Sequence, residues 1–262
     1  MSIKQLFLDI INGNTKSMYQ RWYKFVALLK RLILLPFYQN FGNGKNLKAI
    51  PIIINNRNRY THLMLLIEWL EKQGMTNIFI VDKESTYPPL LDFYAKTNYR
   101  VFRLNQNIGH LAFWKTGIIK QFENDYYIYT DPDVVPVKEC PSDLIEFMMN
   151  QLKRYKQIEK IGIGLKIDDL PDHYSEKQKV IDWEQNIVGK ELIDNVFDAR
   201  VDTTFALYRP YINGERWVPK AYRTGGNYMA RHLPWYENSS EPLEEDNYYR
   251  AHVRTGASHW IS

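Results

Sequence analysis

Two aspartates separated by one proline, Asp131 and Asp133, follow the apolar run YYIYT at residues 126–130. Side chains alternate along extended backbone, so both carboxylates point to the same side of the segment. Pro132 fixes the local backbone and removes a competing N–H group. Two such carboxylates form a hard-oxygen site for Mn²⁺ or Mg²⁺, and such a metal can carry the charge of a departing diphosphate. A capped turn after a buried strand is the alternative interpretation.

The elements that must position these carboxylates form an alternating pattern. Short apolar runs rich in β-forming residues predict strands at 47–54, 77–82, 99–104, 126–130, 160–167 and 201–208. Helices are predicted between them at 60–73, 89–97, 110–122, 141–155 and 180–186, and the regular pattern fades after residue 208. The alternation predicts an α/β fold with a mostly parallel central sheet flanked by helices.

Polar residues follow each of the first four predicted strands, at the sheet edge where ligands bind in such folds. They are NNRNR (55–59), Asp82, NQNIGH (105–110) and the DPD motif. Asp82 can accept hydrogen bonds from a ribose or a base, or it can simply end its strand in a turn. The backbone N–H groups after residue 105 suit a diphosphate, and Lys115 either neutralises phosphate oxygens or is an ordinary surface lysine.

Residues 49–135 resemble the GT-A glycosyltransferases, particularly the large family 2. The resemblance depends on IVDKEST around Asp82, on the N-x-G segment with Asn107 and Gly109, and on DPD. Lys83 and Glu84 depart from the D-D-G-S pattern that is usual after the second strand. The resemblance implies a Rossmann-like GT-A fold and a nucleotide-sugar site. The residues then expected to contact the donor are Asn55, Arg57, Asp82, Asn107, Gly109, Lys115 and Asp131.

An inverting transferase also needs a general base to accept the acceptor's proton. The resemblance implies a carboxylate beyond DPD, and Asp169 or Asp168 is the favoured candidate because both follow a predicted strand. Asp202 is a further candidate, although it precedes its strand. The run Glu244–Asp246 is either another candidate or a solvated helix face.

The stretch RTGGNYMARHLPWY, residues 223–236, is the most unusual part of the second half. GT-A enzymes often supply a late histidine as a metal ligand, which makes His232 the expected third ligand. A histidine packed against Trp235 is the alternative. Arg223 or Arg231 is expected to contact the diphosphate or the acceptor, because guanidinium groups match phosphate oxygens. Trp235 is expected either to stack on a sugar or to pack in the core.

Bulk composition bounds the class of protein. The 262 residues carry a net charge of +4 with no basic motif typical of RNA-binding domains, so nucleic acid is not an expected partner. The single cysteine, Cys140, excludes an internal disulfide and a multi-cysteine zinc site and suits a reducing compartment. We predict one domain at 47–262, with a nucleotide-sugar half (47–136) and an acceptor half (137–262), preceded by a helical extension at 1–46.

The extension contains a basic amphipathic stretch at residues 21–42. It favours a helix lying in a membrane interface, although a helix packed on the domain explains the same pattern. No apolar run is long enough for a transmembrane helix, and no signal peptide is predicted. The expected location is therefore cytoplasmic, and the basic segment favours peripheral binding at the inner face of the membrane.

The leading hypothesis is a metal-dependent glycosyltransferase that uses Mn²⁺ or Mg²⁺. It would move a sugar from a nucleotide-diphosphate donor to a hydroxyl of a glycan or lipid-linked acceptor, in the synthesis of surface polysaccharides or glycoconjugates. A sugar-phosphate nucleotidyltransferase is one alternative, but it usually has a glycine-rich loop after the first strand, and NNRNRYTHL has no glycine. A non-catalytic carbohydrate-binding module is the other, suited to an aromatic content of 15%.

Overall fold

The computed structural model describes residues 18–26, 28–29, 32–33, 45–193, 195–201, 205–214, 219–238 and 240–252. Its strands are β1 (Ile52–Asn56), β2 (Ile78–Lys83), β3 (Arg100–Leu104), β4 (Tyr127–Thr130), β5 (Val134–Pro136), β6 (Lys160–Gly162), β7 (Gly164–Leu165), β8 (Val188–Ile193), β9 (Val196–Ala199), β10 (Ala206–Tyr208), β11 (Ala221–Thr224) and β12 (Met229–His232). Its α-helices are α1 (Thr61–Lys72), α2 (Pro88–Lys96), α3 (Ala112–Lys115), α4 (Leu144–Arg154), α5 (Lys177–Ile187) and α6 (Glu244–His252). Short 3₁₀ helices cover Leu47–Ala49, Ile118–Gln121 and Leu233–Tyr236.

The strands form two sheets. A nine-stranded sheet has the order β3-β2-β1-β4-β10-β6-β11-β9-β8, and within it β9 and β10 run against the direction of the other strands. A smaller sheet has the order β5-β12-β7, with β12 antiparallel to β5 and parallel to β7. The α/β class with a mostly parallel central sheet flanked by helices is therefore confirmed.

The central strands of the large sheet, including β1 and β4, are buried on both faces, which explains the nearly continuous apolar run of β1. Ile52 and Ile54 face a core shared with α1 and α4. Ile53 faces a second core, built with Tyr129 and with Phe113 of α3. Because the apolar residues of β1 fill both cores, its polar residues, Asn55 and Asn56, lie at the carboxyl end of the strand.

Two predicted elements are divided in the structure. The predicted helix 110–122 is interrupted at Gly117, whose φ of 75° is left-handed and ends α3. The predicted strand 160–167 becomes β6 and β7, which belong to different sheets. Gly164 allows the change of sheet, because a Cβ at this position would lie 2.3 Å from the carbonyl oxygen of Thr224. The last fifty residues hold β11, β12 and α6, elements that the sequence pattern does not reveal.

In the N-terminal segment, residues 18–26, 28–29 and 32–33 are helical. Several of its large apolar side chains face solvent, with exposures of 62% for Trp22, 60% for Leu32 and 73% for Ile33. Among the residues that the structure describes, no helix has the length and apolar character to cross a bilayer.

Candidate functional site

The carboxyl ends of β1, β2 and β4 meet at one edge of the large sheet, because these strands are parallel neighbours. Asn58 ties the loop after β1 to the loop after β2 and has a left-handed φ of 51°. Its side-chain oxygen accepts hydrogen bonds from the backbone N–H of Thr86 at 2.7 Å and of Tyr87 at 3.1 Å. Its own N–H donates to Ser85 Oγ at 2.9 Å. Asparagine tolerates this φ better than most residues, so the two loops form a fixed wall.

Asp131 lies beside the end of β1. The parallel register pairs Ile54 with Thr130, which brings the next residues, Asn55 and Asp131, side by side. The amide Nδ2 of Asn55 donates a hydrogen bond to Asp131 Oδ1 at 3.1 Å, and Asn55 is buried. The end of the first strand therefore orients the first carboxylate of the DPD motif.

Asp133 lies beside His232, as the metal-site prediction requires. Antiparallel pairing of β5 and β12 places His232 opposite Val134, and the N–H of Leu233 donates to the carbonyl of Asp133 at 2.8 Å. The Nε2 atom of His232 is 3.6 Å from Asp133 Oδ2. Asp133 Oδ1 and His232 Nδ1 are buried and have no hydrogen-bond partner within the described part of the chain.

The charge of this pair is set by its surroundings. Burial alone would raise the pKa of Asp133, but the positive charges of His232, His62 and Arg59 outweigh it and bring the pKa below its ordinary value. Burial lowers the pKa of His232, against the opposing effect of Asp133. A charged His232 thus lowers the pKa of Asp133, and an ionised Asp133 acts to raise the pKa of His232. A metal would bind both groups in their deprotonated forms.

Cationic side chains complete this side of the site. The Nη2 of Arg57 donates to the carbonyl of His252 at 2.8 Å, while its Nε and Nη1 are buried without a hydrogen-bond partner among the described residues. Burial lowers the pKa of Lys83, and the charges of Asp131 and Asp133 oppose this shift. Lys83 therefore lies in the field of the DPD carboxylates, and Arg57 is close enough for its charge to act on Lys83.

These residues fit a divalent cation that is bound together with a diphosphate. No group of three or more His, Cys, Asp or Glu side chains in the described ranges could hold a metal without other ligands. Mg²⁺ commonly uses one or two carboxylates and completes its coordination with substrate phosphates and water. Asp133 and His232, whose Oδ2 and Nε2 atoms lie 3.6 Å apart, would hold the ion, with Asp131 two residues before Asp133.

A second pair of carboxylates, Glu237 and Asp246, lies close to Arg59 and His62. Arg59 Nη1 forms a buried ion pair with Asp246, and His62 Nε2 lies 2.7 Å from Glu237 Oε1. Burial raises the pKa of Asp246, and Glu237 adds to this increase against the charge of Arg59. Burial would also raise the pKa of Glu237, but His62 and Arg59 outweigh it and lower the value. Environments that push two pKa values apart are typical of acid–base pairs.

Helix α6 carries part of this cluster and packs against the loop after β1. Glu245 Oε2 accepts hydrogen bonds at 2.8 Å from the backbone N–H groups of Tyr60 and Thr61, so it caps the start of α1. Glu245 and Asp246 are buried, and only Glu244 of the acidic run is exposed. The solvated-helix interpretation is therefore wrong for two of these three residues.

Asp82 is completely buried at the end of β2. Its Oδ2 pairs with Arg103 Nε at 3.0 Å and accepts a hydrogen bond from the N–H of Ser85 at 3.2 Å. Its Oδ1 accepts a hydrogen bond from the Tyr94 hydroxyl at 3.2 Å. Both oxygens are thus occupied within the protein, and contact with a nucleoside remains a prediction.

Asn107, Gly109 and Lys115 belong to the connection between β3 and α3. The side chain of Asn107 accepts a hydrogen bond from the N–H of Gly109 at 3.1 Å, and Gly109 has a left-handed φ of 80°. Lys115 is exposed. The helix that follows has only four residues, so it does not provide the extended helix N-terminus that the sequence suggested for a diphosphate.

Asp168 and Asp169 lie beyond β7. Asp168 is exposed and pairs with Lys166 at 2.7 Å. Asp169 Oδ2 lies 2.5 Å from Arg231 Nη2, and its Oδ1 accepts a hydrogen bond from the Tyr236 hydroxyl at 2.6 Å. Neighbouring side chains of a strand point to opposite faces, so Arg231 and its partner Asp169 lie on the other face of β12 from His232.

The two remaining predicted contacts are buried. Arg223 is 2% exposed and forms an ion pair with Glu184 of α5. Trp235 is 2% exposed, and its ring lies 4.6 Å from that of His232. His232 therefore packs against Trp235 and also approaches Asp133. Asp202, the other candidate base, lies outside the described residues.

Four residues of the cluster are absent from the site predicted from sequence: Arg59, His62, Lys83 and Glu237. Arg59 ends the polar segment 55–59 after the first strand, and His62 follows it in α1. Lys83 is one of the two residues that depart from the D-D-G-S pattern. Glu237 is brought in by tertiary contacts, and no local pattern indicates it. Asp246 belongs to the acidic run that the sequence offers as a candidate for the base, and the structure pairs it with Arg59.

Comparison with known proteins gives structural likeness only. No family model matches the sequence, and no curated protein does. The chain is similar to a glucosyl-3-phosphoglycerate synthase from Mycobacterium tuberculosis in complex with phosphoglyceric acid, at 13% identity and a TM-score of 0.39 over 63% of this chain and 58% of that one. It is also similar to a UDP-glucose pyrophosphorylase complexed with UDP-glucose, at 10% identity and a TM-score of 0.46 over 77% and 99% of the two chains.

The same synthase in complex with Mn²⁺ and UDP-glucose matches at 11% identity and a TM-score of 0.41, over 78% of this chain and 76% of that one. In the complex with phosphoglyceric acid, the matched region spans little more than half of the synthase. Likeness at this level describes chain topology, and the activity has to be argued from the residues of the site.

Proposed function

We propose that the protein is a metal-dependent glycosyltransferase. It would transfer the sugar of a nucleotide-diphosphate donor to a hydroxyl of a glycan or lipid-linked acceptor. The observation that carries the proposal is the approach of His232 to Asp133, 3.6 Å apart, with a buried unpartnered atom on each. Buried polar atoms are unfavourable unless something satisfies them. A cation bound with the donor's diphosphate would be held by a carboxylate oxygen of Asp133 and a ring nitrogen of His232.

The donor would bind at the edge formed by β1, β2 and β4. The bound Mn²⁺ or Mg²⁺ supplies charge neutralisation for the leaving diphosphate. Arg57 has two unpartnered N–H donors that can bind diphosphate oxygens, and Lys83 adds a second positive charge. Asn55 holds Asp131 in place, and Asp82 holds the end of β2 through Arg103 and Tyr94.

In an inverting reaction the acceptor oxygen bonds to the anomeric carbon while the bond from that carbon to the diphosphate breaks. The hydroxyl proton passes to a carboxylate. We assign this role to Asp246, whose raised pKa makes its carboxylate a stronger base than that of Glu237. Asp246 pairs with Arg59, whose charge also acts on Asp133, whereas Asp169 lies on the other face of β12.

The assignment of the base predicts different effects for two variants. Asp246→Asn is expected to lower kcat by about 10²- to 10⁴-fold, because the proton acceptor is lost, while nucleotide binding changes only a few-fold. Asp169→Asn is expected to leave kcat within a few-fold of the parent. Turnover with the donor identified by titration, together with the Tm of each variant, checks this. A large loss in Asp169→Asn alone would move the base to Asp169.

The proposal is tested by calorimetric titration of UDP and GDP, with CMP as the control, each with and without Mn²⁺. We expect one nucleoside diphosphate to bind in the presence of Mn²⁺ and to bind much more weakly without it. Binding that is the same with and without the metal would contradict the metal-dependent mechanism. Absence of binding by every nucleotide would make DPD a structural turn and remove the basis for a glycosyltransferase.

We further propose that the N-terminal segment, residues 1–46, holds the protein at the inner face of a membrane, close to lipid-linked acceptors. Its helical residues expose Trp22, Leu32 and Ile33 to solvent. Exposed apolar side chains on a basic helix favour binding to anionic lipid. The domain from residue 47 onward would contain the donor half at 47–136 and the acceptor half at 137–262.

The double variant Trp22→Asp/Ile33→Asp is therefore expected to reduce co-sedimentation with phosphatidylcholine–phosphatidylserine vesicles on the order of tenfold. Leu65→Asp, on α1, is the matched control because Leu65 is also an exposed apolar residue, at 44%. Vesicles of phosphatidylcholine alone should bind the parent weakly. Equal sedimentation of the double variant and the parent would contradict membrane binding through this segment.

A further inference from the structure

A second cavity lies away from the candidate metal site and has a different chemical character. Its volume is about 340 Å³, within the range of small-molecule sites. It lies between α5, the start of β8 and the junction of the two sheets. Its apolar lining consists of Leu165, Ile167, Val188, Phe197 and Met229. Four of these side chains are aliphatic or thioether, so the cavity suits a flexible aliphatic chain better than a planar ring.

Arg223 contributes a polar group to this apolar cavity. The residue is 98% buried, and one arm of its guanidinium pairs with Glu184, which also lines the cavity. Its Nε atom has no hydrogen-bond partner in the described part of the protein. A buried N–H without a partner is unfavourable, and an oxygen atom of a ligand in the cavity would satisfy it.

The cavity lies beside the carboxyl ends of two strands of the large sheet. Strands β6 and β11 run in the direction of β1 and β4, and Gly164 and Gly225 of the cavity come just after their carboxyl ends. Met229 of the cavity shares a face of β12 with Arg231, two residues further along. Arg231, Asp169 and Tyr236 form a hydrogen-bonded polar cluster there. Along β12, Met229 thus lines the apolar cavity, Arg231 belongs to the polar cluster, and His232 follows.

We propose that this cavity binds the aliphatic chain of an amphiphilic acceptor, with the first oxygen of its head group on Arg223 Nε. The inference rests on the proposed function, which identifies the bound molecule as the acceptor. It restricts the acceptor to molecules that carry an apolar chain next to a polar head group.

The test is calorimetric titration of the full chain with n-octyl β-D-glucoside below its micellar concentration. Methyl β-D-glucoside, which lacks the chain, is the matched ligand. We expect the octyl compound to bind at least about tenfold more tightly, because its chain leaves water. Val188→Trp, which fills the mouth of the cavity from a residue 39% exposed, should weaken octyl binding by a similar factor. Leu192→Trp, at 37% exposure on the same strand but outside the cavity, should leave it unchanged.

Nucleoside diphosphate binding in the presence of Mn²⁺ is measured on the same samples. Octyl binding that persists with the nucleotide bound supports two adjoining sites, and competition between the two would overturn the proposal. Equal affinity for the octyl and methyl compounds, or equal effects of the two tryptophan variants, would also overturn it. If the octyl compound behaves as expected while no nucleotide binds, the cavity is supported as an aliphatic-chain site and the glycosyltransferase proposal fails.

Discussion

Replacing Asp133 with asparagine is expected to remove Mn²⁺-dependent binding of the nucleoside diphosphate, a loss on the order of a hundredfold in affinity. Loss of an outer partner of a metal ligand already costs about 10- to 100-fold, and Asp133 is proposed to contact the ion directly. The amide of asparagine keeps the shape of the side chain but carries no charge. His232 alone would then face the metal, because Asp131 is held by Asn55 at the end of β1.

The measurement is the same calorimetric titration, with and without Mn²⁺, for Asp133→Asn and for Asp172→Asn. Asp172 is a suitable control because its side chain is fully exposed and pairs only with surface Lys177. The control is expected to bind like the parent. Metal-dependent binding that survives in Asp133→Asn would place the ion elsewhere, and a large fall in Tm would assign the loss to misfolding.

The largest effect on stability is expected from Arg223→Met. Arg223 and Glu184 form an ion pair whose side chains are 3% and 5% exposed. Removing one partner leaves the other as an uncompensated buried charge, which costs about 3–5 kcal/mol in the free energy of unfolding. For a domain of this size, the Tm would fall by roughly 10 °C. Thermal and urea unfolding, followed by circular dichroism, measure both quantities.

The double variant Arg223→Met/Glu184→Met separates the buried charge from the packing. Replacing both members of a buried pair by apolar residues is often close to neutral, so the double variant should regain most of the lost stability. A double variant as unstable as Arg223→Met would show that the side-chain volumes, and not the charge, determine stability here. A loss below about 1 kcal/mol in the single variant would mean that water reaches Glu184.

The first half of the site could be predicted because its residues follow strands of strong pattern. Asn55, Asp131 and Asp133 come directly after buried strands, and parallel neighbours bring such strand ends together. His232 was indicated only by the resemblance, yet the structure places it beside Asp133. The structure thus brings these predicted residues together, and their role as a metal site stays a prediction.

The second half escaped prediction because its elements are short and carry little periodicity. Strand β12 has four residues, with Ala230 buried, Arg231 exposed and the other two half-buried, and α6 is rich in charged and aromatic residues. The buried state of Glu245 and Asp246 depends on Tyr60, Thr61 and Arg59, which lie far away in sequence. An acidic run looks the same in sequence whether its partners are water molecules or a distant helix end.

Contacts between α6 and the loop after β1 also affect the order in which the chain folds during its synthesis. Arg59 and Asp246 are separated by 187 positions along the chain, and Glu245 caps a helix that starts 184 positions before it. Contacts between distant residues form late, because a long loop has to close first. During synthesis on the ribosome, the contacts of Arg59 and of the start of α1 with α6 therefore cannot form until almost the whole chain has emerged. A polypeptide that stops before residue 244 can build the first strands of the sheet but not the acid–base cluster that lies over them.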